Sequence, residues 1–279
     1  MADGAYRWQG NAPALDAARV EAIHDGWDDA QAHLFAEPAR AHAVSQIDRA
    51  LAAVRSGDFG QASERLSAAR DALMGLDPAR LEPRRGLAGL FDSRSKRLKA
   101  FREAWWVTAG DITDLVADLR ERLNGSTKRP GALEAVWADA RDAFIELDAH
   151  LLAAARRVTG QPVGDEPHPY EDRRRTLETC RGAVLGALPV LRVAQGADTR
   201  ADEALKACAE AAEMWRDDWK AALGLSGKRP RKVKPDRNRL IEARDALVAQ
   251  LDRALAAVAP ASARRAELNQ RLTRLRESV

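Results

Sequence analysis

The chain has 279 residues and carries 45 Lys and Arg against 42 Asp and Glu, a net charge of only +3. So small an excess gives no argument for nucleic-acid binding from bulk charge. Hydrophobic residues at 46% beside 31% charged ones exclude a disordered chain and leave room for one large domain or two ordinary ones.

Ala, Leu, Arg and Glu, all strong helix formers, dominate, while the chain holds 5 Phe and 2 Tyr. No run alternates Val, Ile, Thr and Tyr as a sheet would require. The predicted fold class is therefore all-α: an elongated antiparallel bundle of long, coiled-coil-like helices. The segment MADGAYRWQG lacks the basic stretch and apolar run of a signal peptide. An uncharged stretch such as Gly182 to Leu191 falls far short of the roughly 20 residues of a membrane span. The expectation is a cytoplasmic protein without a transmembrane segment. Cys180 and Cys208 make no disulfide framework and are expected to be small buried side chains.

In chain order, Asp16 to Leu34 reads as a weakly amphipathic helix. A second follows Pro38 to about Arg55, with Val44, Ile47, Leu51 and Val54 at spacings of three and four. Ser56 to Gly60 breaks it. A third helix carries Leu66, Leu73 and Met74 and stops at Gly75. The stretch from Leu76 to Ser93, with Pro78, Pro83, Gly86 and Gly89, is rich in breakers. These signals divide the chain into an N-terminal helical segment (1–75), a linker (76–94) and a long-helix bundle (95–279).

Leu98, Phe101, Trp105, Thr108, Ile112, Leu115 and Leu119 then form a heptad seam, which Asn124-Gly125-Ser126 is expected to end. Leu133, Trp137, Ala140, Phe144, Leu147, Leu151, Ala154 and Val158 follow the same rule on a next helix, before a loop from Gly160 to Pro169. A helix from Tyr170 to Gln195 is expected to kink at Pro189, whose missing N–H frees a carbonyl. Another runs from Asp198 to Leu223. Ser226 to Arg239 is a basic loop, Leu240 to Val258 a heptad helix, and Pro260 opens a last helix. The fragments Ile47 to Val54 and Leu251 to Val258 nearly repeat each other, through either duplication or convergence of alanine-rich heptads.

Chemistry-bearing motifs are scarce. The five histidines form no HxxxH or HExxH pair, and there is no CxxC, phosphate-cradling glycine loop or GxSxG elbow. No enzyme activity, metal or cofactor is expected. Trp105, Trp137 and Trp215 occupy core positions. Trp215 and Trp219 lie one turn apart, sharing a face that is either core or aromatic contact surface. Trp106 and Trp8 fit no seam and are candidates for partner contacts. Lys228, Arg229, Arg231, Lys232 and Lys234, with Arg237, form a basic run with no acid before Asp236. It would grip nucleic-acid phosphates or an anionic membrane surface, or else be a solvated helix connection, and with no aromatic interleaved it does not suggest stacking on single strands.

Two regions resemble the TelA/KlaA family of toxic-anion (tellurite) resistance proteins. One is Leu76 to Leu123, with its Gly-Leu and Leu-Phe turn before a long helix entered through basic residues. The other is Arg173 to Leu225, in which Leu177, Pro189, Arg192, Gln195, Asp198, Trp215 and Ala222-Leu223-Gly224 stand in a similar order. The chain departs from that pattern at Gly196 and Ala197, where the family carries an asparagine pair. It departs again at Glu213-Met214, where a proline usually precedes the Trp. The resemblance implies a cytoplasmic helical protein associated with resistance to tellurite and related envelope stress, and it does not imply a known enzymatic reaction.

The leading expectation is thus a non-enzymatic interaction protein with a protein partner. Arg192, Gln195 and Asp198 would flank a polar turn beside Pro189, joined by Trp215, Trp219 and Trp106. The alternatives are nucleic-acid or anionic-surface binding through the loop 228–237, and coiled-coil homo-oligomerisation through Leu240 to Val279.

Overall fold

The computed structural model describes residues 14–55, 59–82, 93–159 and 169–279. Trp8, His168, residues 56–58 of the expected break, the breaker residues Pro83, Gly86 and Gly89, and nearly all of the expected 160–169 loop lie outside them. Among the described residues there is no strand, and the all-α helical bundle expected from composition is what forms. No helix among them is long and apolar enough to cross a membrane.

The helices are α1 (Ala17–Asp25), α2 (Glu37–Arg55), α3 (Gly60–Gly75), α4 (Arg94–Thr159), α5 (Pro169–Gly196), α6 (Thr199–Ala222) and α7 (Arg237–Glu277). The expected helix over Asp16 to Leu34 is instead α1 followed by a 3₁₀ turn, Asp29–Leu34. Asp16 and Asp28 each cap one piece by accepting a backbone N–H two residues on, at 3.0 and 3.1 Å.

Two expected breaks are absent. The helix does not end at Asn124-Gly125-Ser126, and α4 runs on through Pro130. Likewise α7 continues through Pro260 instead of restarting there. Glycine in a helix costs only about 1 kcal/mol, and buried seams on either side repay it. No residue between Leu119 and Leu133 is buried, so the breakers fall where α4 is least packed. α5 also continues through Pro189.

The helices group into two compact units interleaved along the chain: unit 1 is 1–56, 128–197 and 264–279, and unit 2 is 57–127 and 198–263. α4 and α7 each give one part to each unit. In unit 1, α2 packs on α5, and Ile47, Leu133, Phe144, Leu147, Leu188 and Leu272 are core residues. Arginines tie its turns: Arg157 donates from Nε to the His24 carbonyl at 2.9 Å, and Arg173 from Nε to the Phe35 carbonyl at 2.6 Å. Arg40 and Arg173 flank Glu37 and hold its carboxyl down to about 2. Cys180 is buried here and unpaired.

In unit 2 the first α4 seam is buried from Leu98 to Leu119, against α6 and the first part of α7. Phe101 stacks on Trp219 with centroids 5.8 Å apart, and Trp215 tilts against Trp219 at 5.2 Å. Cys208 sits in this core as a free thiol, pushed up to about 12 by burial. The apolar seam of α7 is spent inside the chain: Leu240, Leu247, Leu251 and Val258 in unit 2, Leu268 and Leu272 in unit 1.

Candidate functional site

The structure sorts the sequence-derived candidates by burial and by partner. Trp215 and Trp219 are core residues of unit 2, the latter 0% exposed, so the face they share is core and not a contact surface.

Arg192 and Gln195 lie on the last turns of α5 in unit 1 and serve that unit's own packing. Arg192 forks onto both oxygens of Glu134, and Gln195 Nε2 donates to Glu134 Oε2 at 2.8 Å. The guanidinium carbon of Arg192 stands 3.7 Å over the Trp137 ring, where cation–π attraction adds to the ion pair. These donors, Arg192 first, hold the Glu134 carboxyl below its ordinary value. Asp198 belongs to unit 2, precedes α6 and is 6% exposed. The expected recognition point is therefore a pair of residues occupied within unit 1 and a buried aspartate of unit 2.

Arg192 stays 42% exposed while it holds Glu134, and two further candidates are open to solvent, both in unit 2. Trp106 is 54% exposed on α4, and the adjacent Val107 is 68% exposed. The side chains of Lys228, Arg229, Arg231, Lys232 and Lys234 are exposed. None of the five has an ion-pair or side-chain hydrogen-bond partner among the described residues. The chain has 37 arginines and 8 lysines, and three of those lysines fall in these seven positions.

The loop has a built backbone. α6 ends in a Schellman motif: Gly224 N–H donates to the Ala221 carbonyl at 3.0 Å and Leu225 N–H to the Lys220 carbonyl at 2.8 Å. This requires the left-handed conformation that Gly224 adopts, at φ 70°. Arg231 N–H then returns to the Gly224 carbonyl at 2.9 Å. From α4, Arg102 Nε donates to the Leu223 carbonyl at 2.9 Å, and its Nη2 to the Arg231 carbonyl at 2.7 Å. Arg94 Nη2 reaches the Val233 carbonyl at 2.9 Å. Val233 turns inward onto the unit 2 core. Burial of the Arg102 guanidinium lowers its pKa, although the group stays charged. Asp236 closes the loop by capping α7, its Oδ1 accepting from Asn238 N–H at 2.9 Å.

Acids near the loop are engaged elsewhere. Glu82 pairs with Arg237, Asp218 with Arg239, and Asp236 with the α7 backbone. The result is a pinned cationic loop whose charges face water. Arg102 and Gly224 were missing from the sequence-derived site. For Gly224 a signal existed, a glycine just past the last periodic residue of a helix.

A Cβ at Gly224 would lie 2.8 Å from Val233 Cγ1 and 3.1 Å from the Arg231 carbonyl oxygen, in a backbone conformation that L side chains rarely adopt. Gly224→Ala is expected to cost about 1–3 kcal/mol. Chemical denaturation reads the cost, and limited trypsin digestion at Arg231–Lys232 reads the disturbed loop as faster cleavage.

Unit 1 has a half-open cavity of about 420 Å³ walled by Ile23, Trp27 and Ala36, with Arg19, Glu146 and His150 at its rim. Arg19 and Glu146 bond each other there, so the charges that would fix a ligand already neutralise one another. Among the described residues no group of three or more His, Cys, Asp or Glu is placed to hold a metal ion. Comparison with known proteins finds no family model, no curated protein and no solved structure that matches the chain.

Proposed function

We propose that this chain is a non-enzymatic helical binding protein, of the interaction type that the toxic-anion-resistance resemblance implies. Its binding element is the loop 228–234, and its partner is anionic. The carrying observation is the loop itself, with five exposed cations on a backbone fixed by Arg102, Arg94 and the α6 terminus. Fixing the backbone before binding lowers the ordering cost that a flexible basic tail would meet on contact. Arg192 and Gln195 support unit 1, and Trp215 and Trp219 support the core under the loop, so their roles are positional.

The test is affinity capture of the tagged full chain from its native cells, with and without tellurite, beside the variant carrying Arg231→Glu and Lys232→Glu. Both positions are solvent-facing, so helicity and thermal stability should be unchanged. The expected result is a partner set held by the wild type, weakened by salt and lost from the variant. The same partners on both proteins would remove the loop from the function. A stronger yield under tellurite, lost in the variant, would tie the loop to the stress that the resemblance implies.

A further inference from the structure

We propose that the anionic partner is single-stranded nucleic acid, with the loop cations tracking its phosphates and Trp106 stacking on a base. This rests on the reading of 228–234 as the binding element.

The first argument is the placement of Trp106. Lys99, Arg102 and Trp106 are spaced three and four apart, so they share one flank of α4. Arg102 is the residue that grips the loop, through the carbonyls of Leu223 and Arg231. The exposed indole therefore stands about 6 Å along the α4 axis from the loop's anchor, one helical turn past Arg102. Trp106 meets Trp105 edge-on, with centroids 4.9 Å apart, and half its surface remains open. Lys99, on the same flank, is 81% exposed and pairs with Glu103 at 4.0 Å, so the loop supplies the free cations.

The second argument is the form of the charge. From Lys228 to Lys234 the chain spans at most roughly 20 Å, with five cations and no acid along it. That suits a linear polyanion. An anionic membrane would be met by a different surface, because interfacial binding scales with the apolar area inserted beside the charges. Here the loop's own Val233 is turned into the core, and on this flank of α4 Trp106 is a single exposed aromatic and no broad apolar face. A duplex keeps its bases stacked within it and offers an exposed indole no base face. A single strand offers both phosphates and open faces, the combination that cationic grooves with aromatic platforms recognise.

The experiment is fluorescence anisotropy with a short labelled oligonucleotide, single-stranded or annealed, and co-sedimentation with vesicles of phosphatidylglycerol and phosphatidylcholine. The proteins are the full chain and its Trp106→Ala, Trp106→Phe and Arg231→Glu plus Lys232→Glu variants. Five phosphate contacts on a single strand predict a salt slope near −3.5, so affinity should fall on the order of 100-fold between about 50 and 200 mM salt. Trp106→Ala should weaken single-strand binding roughly 5- to 150-fold without changing the slope, and Trp106→Phe should restore part of it.

Equal affinity for duplex and single strand, with no effect of Trp106→Ala, would overturn the inference. So would binding to vesicles alone, while leaving the anionic-partner reading intact. If no polyanion or vesicle binds and charge reversal leaves cellular capture unchanged, both readings fall.

Discussion

Trp219→Ala is expected to destabilise unit 2 by about 3–5 kcal/mol, the range for removing a fully buried aromatic side chain. The ring has no solvent exposure and sits between Phe101 of α4 and Trp215 of α6. Collapse around the resulting hole is restricted, because two of its walls are themselves large rings on helices. Its indole N–H has no hydrogen-bond partner in that core. Trp219→Phe therefore gives up volume and no hydrogen bond, and should cost well under half as much. At about 2–4 °C per kcal/mol the alanine variant should melt about 10 °C lower. Hydrogen exchange would locate the loss in 57–127 and 198–263, the segments of unit 2. The Trp219 carbonyl accepts the N–H of Leu223 at 2.8 Å, so the same core supports the turn from which the cationic loop departs. A melting shift as small as that of Trp219→Phe would mean that the site repacks and that the ring cluster is not the keystone of this unit.

The periodic part of this architecture was legible in the sequence. The spacing of Leu98, Phe101, Trp105, Thr108, Ile112, Leu115 and Leu119 predicts one buried face, and all seven are buried. Local breakers were legible only where packing agreed with them: Gly75 ends α3, yet Gly125, Pro130 and Pro260 lie inside helices. Helix continuity there is decided by buried seams on either side, Leu119 and Leu133 in α4 and Val258 and Ala261 in α7, which a local reading of glycine and proline does not include. The interleaved units were hidden for a related reason, because one helix supplies core to two clusters and the composition does not change where it passes from one to the other.

At the candidate site, the loop's charge could be read directly from residues 228–234. Its rigidity could not. Arg102 lies 121 residues from Leu223 and 129 from Arg231, and no pattern in an arginine-rich chain marks which guanidinium will meet a loop carbonyl. The same holds for Arg192, whose partner Glu134 stands 58 residues away. Arg192 is exposed, and in the fold it also forms an ion pair over a tryptophan ring.

Arg102→Met separates the two ingredients of the loop, charge and shape. Methionine keeps most of the aliphatic stem and removes the guanidinium, leaving the carbonyls of Leu223 and Arg231 without their charged donor. Hydrogen bonds to a charged group contribute about 1.5–3 kcal/mol, so a loss on the order of 2–3 kcal/mol in unit 2 is expected. Arg102→Lys should rescue it only in part, because one ammonium cannot reproduce the fork that spans both carbonyls. Every cation of 228–234 survives in these variants, and what they lose is the fixed path of the backbone. Affinity for the anionic partner should therefore fall, while its salt slope stays that of the wild type, since the slope counts neutralised charges. Arg231→Glu plus Lys232→Glu should do the reverse, lowering the slope by about 1.4 or more with the fold intact. Trypsin provides the independent reading: the Arg231–Lys232 and Lys232–Val233 bonds should be cut faster in Arg102→Met than in the wild type. If Arg102→Met opens the loop to trypsin yet leaves affinity untouched, a flexible basic strand suffices for binding and the pinned geometry serves stability alone. If affinity falls at constant slope, the loop works as a preformed template, and Arg102, which offers no charge to the partner, is what sets its shape.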